Sequence, residues 1–247
     1  MIKNNFNYLD QSLSGAKFSI IKKKNKLFFK KFIPFKNISD KNRILCQLSK
    51  QNKLSLTSLP DPFFTIKGSG KIEKKNVIIE MPFIHGFSGK EIIINSQKKN
   101  IETLIKIFSK LIVFFKNNKL KNDKDKKRNI ENKIIELNKI HSNKKYSYVF
   151  KFLEKKINDI RNDIDETLCH GDLTFSNVII TKGTGYKIDF DDNRILLIDW
   201  LDTYFDSYLQ DLAKLKQELF YGWSSRNIYS PQKINNLLTG EYMWENL

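Results

Sequence analysis

Two short segments constrain this chain more than any other part of it. Residues 168–180 read Leu-Cys-His-Gly-Asp-Leu-Thr-Phe-Ser-Asn-Val-Ile-Ile, and residues 195–200 read Ile-Leu-Leu-Ile-Asp-Trp. The first is a polar loop, His-x-Asp-x4-Asn, feeding an apolar β-branched strand, and the second is an apolar strand that ends on an acid. Two buried strands with polar residues at their ends present Asp172, Asn177 and Asp199 as a set of oxygens at fixed spacing.

The chain before these segments reads as strands followed by helices. Residues 17–35 predict a hairpin: an extended run to Ile21, a polar turn around Lys23–Lys26 and a second, Phe-rich strand ended by Pro34. Residues 39–52 predict a helix with Ser39 or Asp40 as N-cap and Ile44, Leu45 and Leu48 on one face. Pro60 and Pro62 break the chain, Phe63–Ile66 and Val77–Met81 read as another strand pair, and Gly86 and Gly89 mark a second break. From Asn100 the apolar residues Ile101, Leu104, Ile105, Phe108, Leu111, Ile112 and Phe115 recur at three- and four-residue steps, which predicts a helix. Residues 116–128 read as a charged loop or frayed helix end, and a second helical stretch is predicted over roughly 130–162.

Composition narrows the class. At 247 residues and 40% hydrophobic, the chain buries a real core, and no apolar run approaches the length that crosses a bilayer. Two cysteines, Cys46 and Cys169, make no disulfide framework and suit a reducing compartment, so the expected location is cytoplasmic. Only five of the 44 basic residues are Arg, so the net charge of +17 reflects a bias toward Lys more than a nucleic-acid footprint. The charge is also uneven. Residues 1–160 hold 36 basic and 13 acidic side chains, a net +23, while residues 161–247 hold 8 and 14, a net −6. A field of this kind draws an anion to the front of the chain.

The order His170-Gly171-Asp172, Asn177, then Ile198-Asp199-Trp200 and Asp211-Leu212-Ala213-Lys214 resembles the aminoglycoside phosphotransferase and choline kinase family. The resemblance is specific over 168–213 and only pattern-level before it. It implies an α+β, bilobal protein-kinase-like fold, with a small β-rich N-terminal lobe over residues 1–83 and a mainly helical C-terminal lobe over 84–247. It implies ATP and Mg2+ as cofactors and a small-molecule hydroxyl acceptor: a sugar, amino sugar, aminoglycoside or choline-like amino alcohol. By that resemblance Asp172 is the catalytic base, His170 braces its loop, and Asn177 and Asp199 bind Mg2+. The chemistry accounts for these residue types. Phosphoryl transfer to a hydroxyl needs a carboxylate to orient and deprotonate it, and oxygen ligands to hold Mg2+ against the phosphates. Gly171 stands where protein kinases carry Arg, which marks the small-molecule branch.

The resemblance also assigns the nucleotide. Ser14 and Gly15 take the place of the phosphate-covering turn, Lys30 that of the strand lysine that pairs with phosphates, and Glu80, Met81 and Phe83 the inter-lobe hinge facing adenine. Lys31 is the alternative to Lys30, because a one-residue slip turns the side chain to the other face. Kinases hold that lysine with a Glu from the following helix, but residues 41–53 contain no acid, which leaves Asp40, Asn42 or Gln47 as stand-ins. Asp189, in Ile188-Asp189-Phe190, competes with Asp199 for the metal role. Asp199 is preferred because it ends the stronger apolar run and stands at the family's interval from Asp211, leaving 186–198 as a hairpin turning at Asp191-Asp192-Asn193.

The remaining polar residues have plainer readings. His85 and His141 are turn or surface residues, and Cys169 is a small core residue. Asp211 caps a helix carrying Leu212, Leu215 and Leu219 and supports the catalytic loop, while Asp202 and Asp206 face an amine-bearing acceptor, with Tyr204, Tyr208, Tyr221 and Trp223 available to stack on it. Two rivals remain: a protein Ser/Thr kinase, for which about a dozen residues between Asp199 and Asp211 leave little room, and a non-catalytic pseudokinase serving as a basic interaction module.

Overall fold

A computed structural model describes residues 15–95, 98–120, 124–140, 147–160, 164–181, 194–203, 206–221 and 223. Two compact units partition the chain, the first spanning residues 1–103 and 175–202 and the second 104–174 and 203–247. Compactness therefore divides the chain along different lines from the expected functional division at residue 83.

The first unit is built on two sheets. Strands β1 (Lys17–Lys23) and β2 (Lys26–Pro34) form the predicted hairpin. Its two-residue turn, Lys24-Asn25, has both residues at positive φ, the geometry whose twist matches that of flanking antiparallel strands. Helix α1 runs Ile38–Leu54, and its N-cap is Asn37 rather than Ser39 or Asp40. The Asn37 side chain accepts the Asp40 N–H at 2.8 Å, so Asp40 instead lies in the first turn, where a carboxylate complements the helix dipole.

Strand pairing departs from the sequence reading. Strand β3 (Phe63–Phe64) pairs in parallel with a strand over 130 residues later, while β5 (Asn76–Pro82) pairs with β2 and with β4 (Ser69–Glu73). Every residue of β4 is exposed. Such an edge strand needs no apolar alternation, so its sequence gives no strand signal. The sheet order is β1-β2-β5-β4.

Alternation decides which face of this sheet is the core. Val77, Ile79 and Met81 from β5 are buried with Ile44 and Leu48 of α1, and Phe29 and Ile33 of β2 pack against that cluster. Burying each such side chain contributes on the order of 2 kcal/mol. The odd-numbered residues of β2 therefore share the side of the sheet that faces α1.

A second sheet carries the motif residues of this unit. Strands β6 (Phe87–Ser88), β7 (Val178–Ile180) and β8 (Ile195–Leu197) join β3 in the order β3-β8-β7-β6. The β7–β8 pair is antiparallel, with Val178 opposite Leu197. Residues 182–193, which hold Asp189 and the predicted turn at Asp191–Asn193, lie outside the described residues. Helix α2 (Gly89–Asn95) follows β6.

Helix α3 (Lys98–Asn117) leads into the second unit and matches its prediction, with Leu104, Phe108, Leu111 and Phe115 buried along one stripe. The single helical stretch predicted over roughly 130–162 holds two helices, α4 (Lys124–Ile140) and α5 (Ser147–Ile160), and α4 begins inside the segment that reads as a charged loop or frayed helix end. Lys and Arg are good helix formers, so a charge-rich run does not stop a helix. After α3 the chain pairs with the approach to the 169–174 loop: Leu168 N donates to Asn118 O at 2.8 Å and Leu120 N to Glu166 O at 2.9 Å. Helix α6 (Tyr208–Tyr221) completes the unit, with Leu215 and Leu219 buried. No helix among the described residues is long and apolar enough to cross a membrane.

Candidate functional site

In the second unit, residues 169–174 form a loop fixed from beneath by α6. Asp211, in the first turn of α6 and wholly buried, accepts the backbone N–H of His170 at 2.7 Å through Oδ2 and that of Gly171 at 2.8 Å through Oδ1. A buried carboxylate is costly unless its oxygens are hydrogen-bonded, and here both are. Gly171 has φ +87, a conformation strained for any side chain. That requirement accounts for glycine at this position. His170 is fully buried, and its Nδ1 accepts the Asp172 N–H at 3.3 Å, so it braces the loop from inside.

Asp172 itself is turned outward. Its side chain is 33% exposed, and Oδ1 lies 2.9 Å from Lys214 Nζ on α6, one turn beyond Asp211. The spacing of Asp211 and Lys214 puts both on one helix face, so a single helix supplies the buried support and the cation beside the carboxylate.

Other residues of this unit fall into supporting positions. Asp206 is buried; its Oδ1 accepts from the Cys169 thiol at 3.4 Å and from Thr203 Oγ1, and its carbonyl accepts the Thr167 N–H at 3.0 Å. Both Cys46 and Cys169 are free thiols. The Tyr208 ring lies 5.9 Å from Lys116 Nζ, and Trp223 is exposed. Tyr204 lies outside the described residues, and so does the Tyr221 side chain.

In the first unit, a 3-10 turn over Phe175–Asn177 precedes β7, and Asp199 follows β8 by two residues. The Ile198 N–H donates to the Asn177 carbonyl at 3.1 Å, extending the β7–β8 ladder and tying the two predicted metal ligands to one strand pair. Asp199 has φ +59, an uncommon conformation for a residue other than glycine. Its Oδ2 accepts from Lys31 Nζ at 2.5 Å, with the lysine side chain 11% exposed and the carboxylate 38%.

Lys31, not Lys30, is therefore the strand lysine that meets the motif acid. Register gives the reason. Lys31 stands opposite Ile79, on the α1-facing side of the sheet, whereas Lys30 stands opposite Glu80 on the other face, its ammonium 5.0 Å from the Phe32 ring. No acid on α1 is paired with this lysine among the contacts described: Asp40 accepts the Lys36 N–H, and Asp199 is the partner of Lys31.

The expected hinge residues separate by face as well. Glu80 pairs with Lys23 at 2.6 Å on the side away from α1, while Met81 is buried in the core cluster. Phe83 donates its N–H to the Leu27 carbonyl at 2.9 Å, and Pro82 has no N–H to offer. Gly15 has φ +70 and an open space where a side chain would stand; Ser14 lies outside the described residues.

Asn177 and Asp199 are the residues whose chemistry could hold a divalent cation. One carboxylate and one amide oxygen, on a single strand pair and partly exposed, suit Mg2+, which is commonly bound through one or two protein oxygens and completed by phosphates and water. Among the described residues no group of three His, Cys, Asp or Glu side chains stands ready to hold a metal alone.

No family model matches the chain, and no curated protein matches it in sequence. Solved structures do match in fold. A thermostable mutant of aminoglycoside phosphotransferase APH(4)-Ia, in ternary complex with AMP-PNP and hygromycin B, aligns over 92% of this chain and 80% of its own at 8% identity and a TM-score of 0.57. The corresponding ADP and hygromycin B complex aligns over 92% and 84% at 7% identity and a TM-score of 0.55. APH(4)-Ia itself covers 94% of this chain and 80% of its own at 10% identity and a TM-score of 0.55. Identities this low speak for architecture alone: the chain has the protein-kinase-like α+β fold of the aminoglycoside phosphotransferases.

Proposed function

We propose that this chain is a nucleotide-dependent phosphotransferase that moves the terminal phosphoryl of ATP onto a hydroxyl of a small molecule. The observation that carries the reading is the Lys31–Asp199 ion pair, which joins a strand lysine to the motif acid 168 residues later. A nearly buried ammonium needs an anionic partner, and the same ammonium suits a nucleotide phosphate. The fold neighbours crystallised with ADP, AMP-PNP and hygromycin B support a nucleotide donor and an aminoglycoside-like acceptor.

Residues 1–83 take the nucleotide, with Gly15 and Ser14 at the phosphate turn, Lys31 in the lysine role and the backbone of 80–83 toward adenine; residues 84–247 supply the catalytic and acceptor side. Asn177 and Asp199 would hold Mg2+, which would offset charge on the phosphates. Asp172 receives the acceptor's hydroxyl proton as that oxygen bonds to the terminal phosphorus and the bond to the ADP oxygen breaks. Lys214 fixes the direction of the Asp172 carboxylate. Acceptors are sugars, amino sugars, aminoglycosides or choline-like amino alcohols, and the free thiols fit a reducing, cytoplasmic setting.

A coupled ADP-release screen tests this over choline, ethanolamine, sugars, amino sugars, aminoglycosides and polyols with Mg2+ present. Asp172→Asn should lower turnover with the accepted substrate by roughly 10²- to 10⁴-fold while leaving ATP binding intact. Failure of the protein to bind ATP with Mg2+, or unchanged turnover in Asp172→Asn, rejects the reading and favours a non-catalytic module.

A further inference from the structure

Asp199 sits in a left-handed conformation between two residues that share one support. Thr65 is buried, and its hydroxyl donates to the Leu197 carbonyl at 2.8 Å while accepting the Trp200 indole N–H at 3.1 Å. The single hydroxyl proton and one lone pair thus clamp the chain two residues before Asp199 and one residue after it. Continued pairing of β3 with β8, Phe63 opposite Ile195 and Phe64 opposite Leu196, brings Thr65 level with Leu197. Two further bonds close the bracket: Ile198 N–H to the Asn177 carbonyl, and Lys50 Nζ of α1 to the Leu201 carbonyl at 3.0 Å.

Residues in sparsely populated backbone regions persist when the surroundings over-determine them. Leu197 and Trp200 are almost wholly buried, so their polar groups have little access to water as an alternative partner. We propose that Thr65 is a positioning residue for the metal-binding acid: by bonding both flanks of Asp199 it holds the φ +59 turn that turns the carboxylate toward Lys31, on the strand pair that also carries Asn177. The inference rests on the phosphotransferase reading of Asn177 and Asp199. It gives the Trp of the Ile-Asp-Trp segment a task, as donor to the same hydroxyl, and α1 a second anchoring role through Lys50 in place of the missing acid.

The test measures Mn2+ binding, by electron paramagnetic resonance, to the full chain saturated with AMP-PNP. Thr65→Val keeps the side-chain shape and removes both bonds; it should weaken Mn2+ binding at least tenfold while AMP-PNP affinity without metal stays within twofold. Thr65→Ser restores the hydroxyl and should bind Mn2+ within twofold of the original chain, a rescue that general loss of packing would not give. Trp200→Phe, which removes one of the two bonds, should fall between them at about threefold, and with Thr65→Ser it decides the matter if Thr65→Val does not fold. Equal Mn2+ binding by the original chain and Thr65→Val, no effect of Trp200→Phe, or failure of Thr65→Ser to restore binding overturns the role of Thr65 alone. If the original chain binds no Mn2+ with AMP-PNP, the phosphotransferase reading falls first and this role falls with it.

Discussion

In the second unit the loop bearing Asp172 is held from behind by the buried Asp211 carboxyl group, whereas in the first unit the turn bearing Asp199 is held by a hydroxyl and an indole. The exposed sides are alike: Asp172 and Asp199 are each about one-third exposed and each faces one lysine. Asp211 has the same side chain as these two and a different task. It is fully buried and spends both oxygens on backbone N–H groups. Burial and donor type, not residue identity, separate the supporting carboxylate from the two that are partly exposed and paired with lysines. The two supports also differ in what their loss costs, since a buried charge stabilises only while its partners remain.

The largest expected effect is on the Asp211 support. Asp211→Ala leaves two N–H groups without their acceptor and should destabilise the chain by about 3 kcal/mol, read as a lower urea midpoint, with Asp211→Asn milder because it keeps one acceptor oxygen. A cost below about 1 kcal/mol for Asp211→Ala would erase the contrast between the units. Next comes the lysine of the first unit. Lys31→Met should weaken ATP binding about tenfold, roughly 1.4 kcal/mol, and Lys30→Met should leave it within twofold, both measured by calorimetric titration. The reverse ranking would move the phosphate role to the other face of the sheet.

The smallest effect is a control on the exposed edge strand β4 of the first unit. The Glu73 carboxyl is held below the usual carboxylate range, first by its hydrogen bond with Lys71 and then by the charges of Lys71, Lys30 and Lys74. A lowered folded-state value means any stabilisation is present above the ordinary carboxylate range and is lost as pH falls through the lower value. The pair is fully solvated, so Glu73→Gln should leave the urea midpoint at neutral pH unchanged within error. A shift comparable to that of Asp211→Ala would mean that burial does not sort these carboxylates.

Much of the architecture could be read locally. The β1–β2 hairpin, α1 and α3 carry strong alternation or three-to-four periodicity, and each forms close to its predicted bounds. Strand β4 escapes because an exposed edge shows no apolar pattern, and the first turns of α4 because they lie in the charged run that reads as a loop or frayed helix end. The choice between Lys30 and Lys31 could not be made from sequence, since aromatic residues stand on both parities of β2 (Phe28 and Phe32 against Phe29) and either face reads as buried. Thr65 carried no signal at all. A threonine after two phenylalanines is an ordinary strand residue, and its partners lie 132 and 135 residues away.

What the sequence determined by itself is the order and spacing of His170, Asp172, Asn177, Asp199 and Asp211, because a loop feeding a strand and a strand ending on an acid are local patterns. The tertiary structure decided which lysine meets Asp199, which hydroxyl holds its turn, and how Asp211 is bonded beneath the loop. Those outcomes depend on strand register and on burial. Register sets which face a side chain takes, and burial sets whether a carboxylate must spend its oxygens on backbone donors; neither is fixed until distant segments pack.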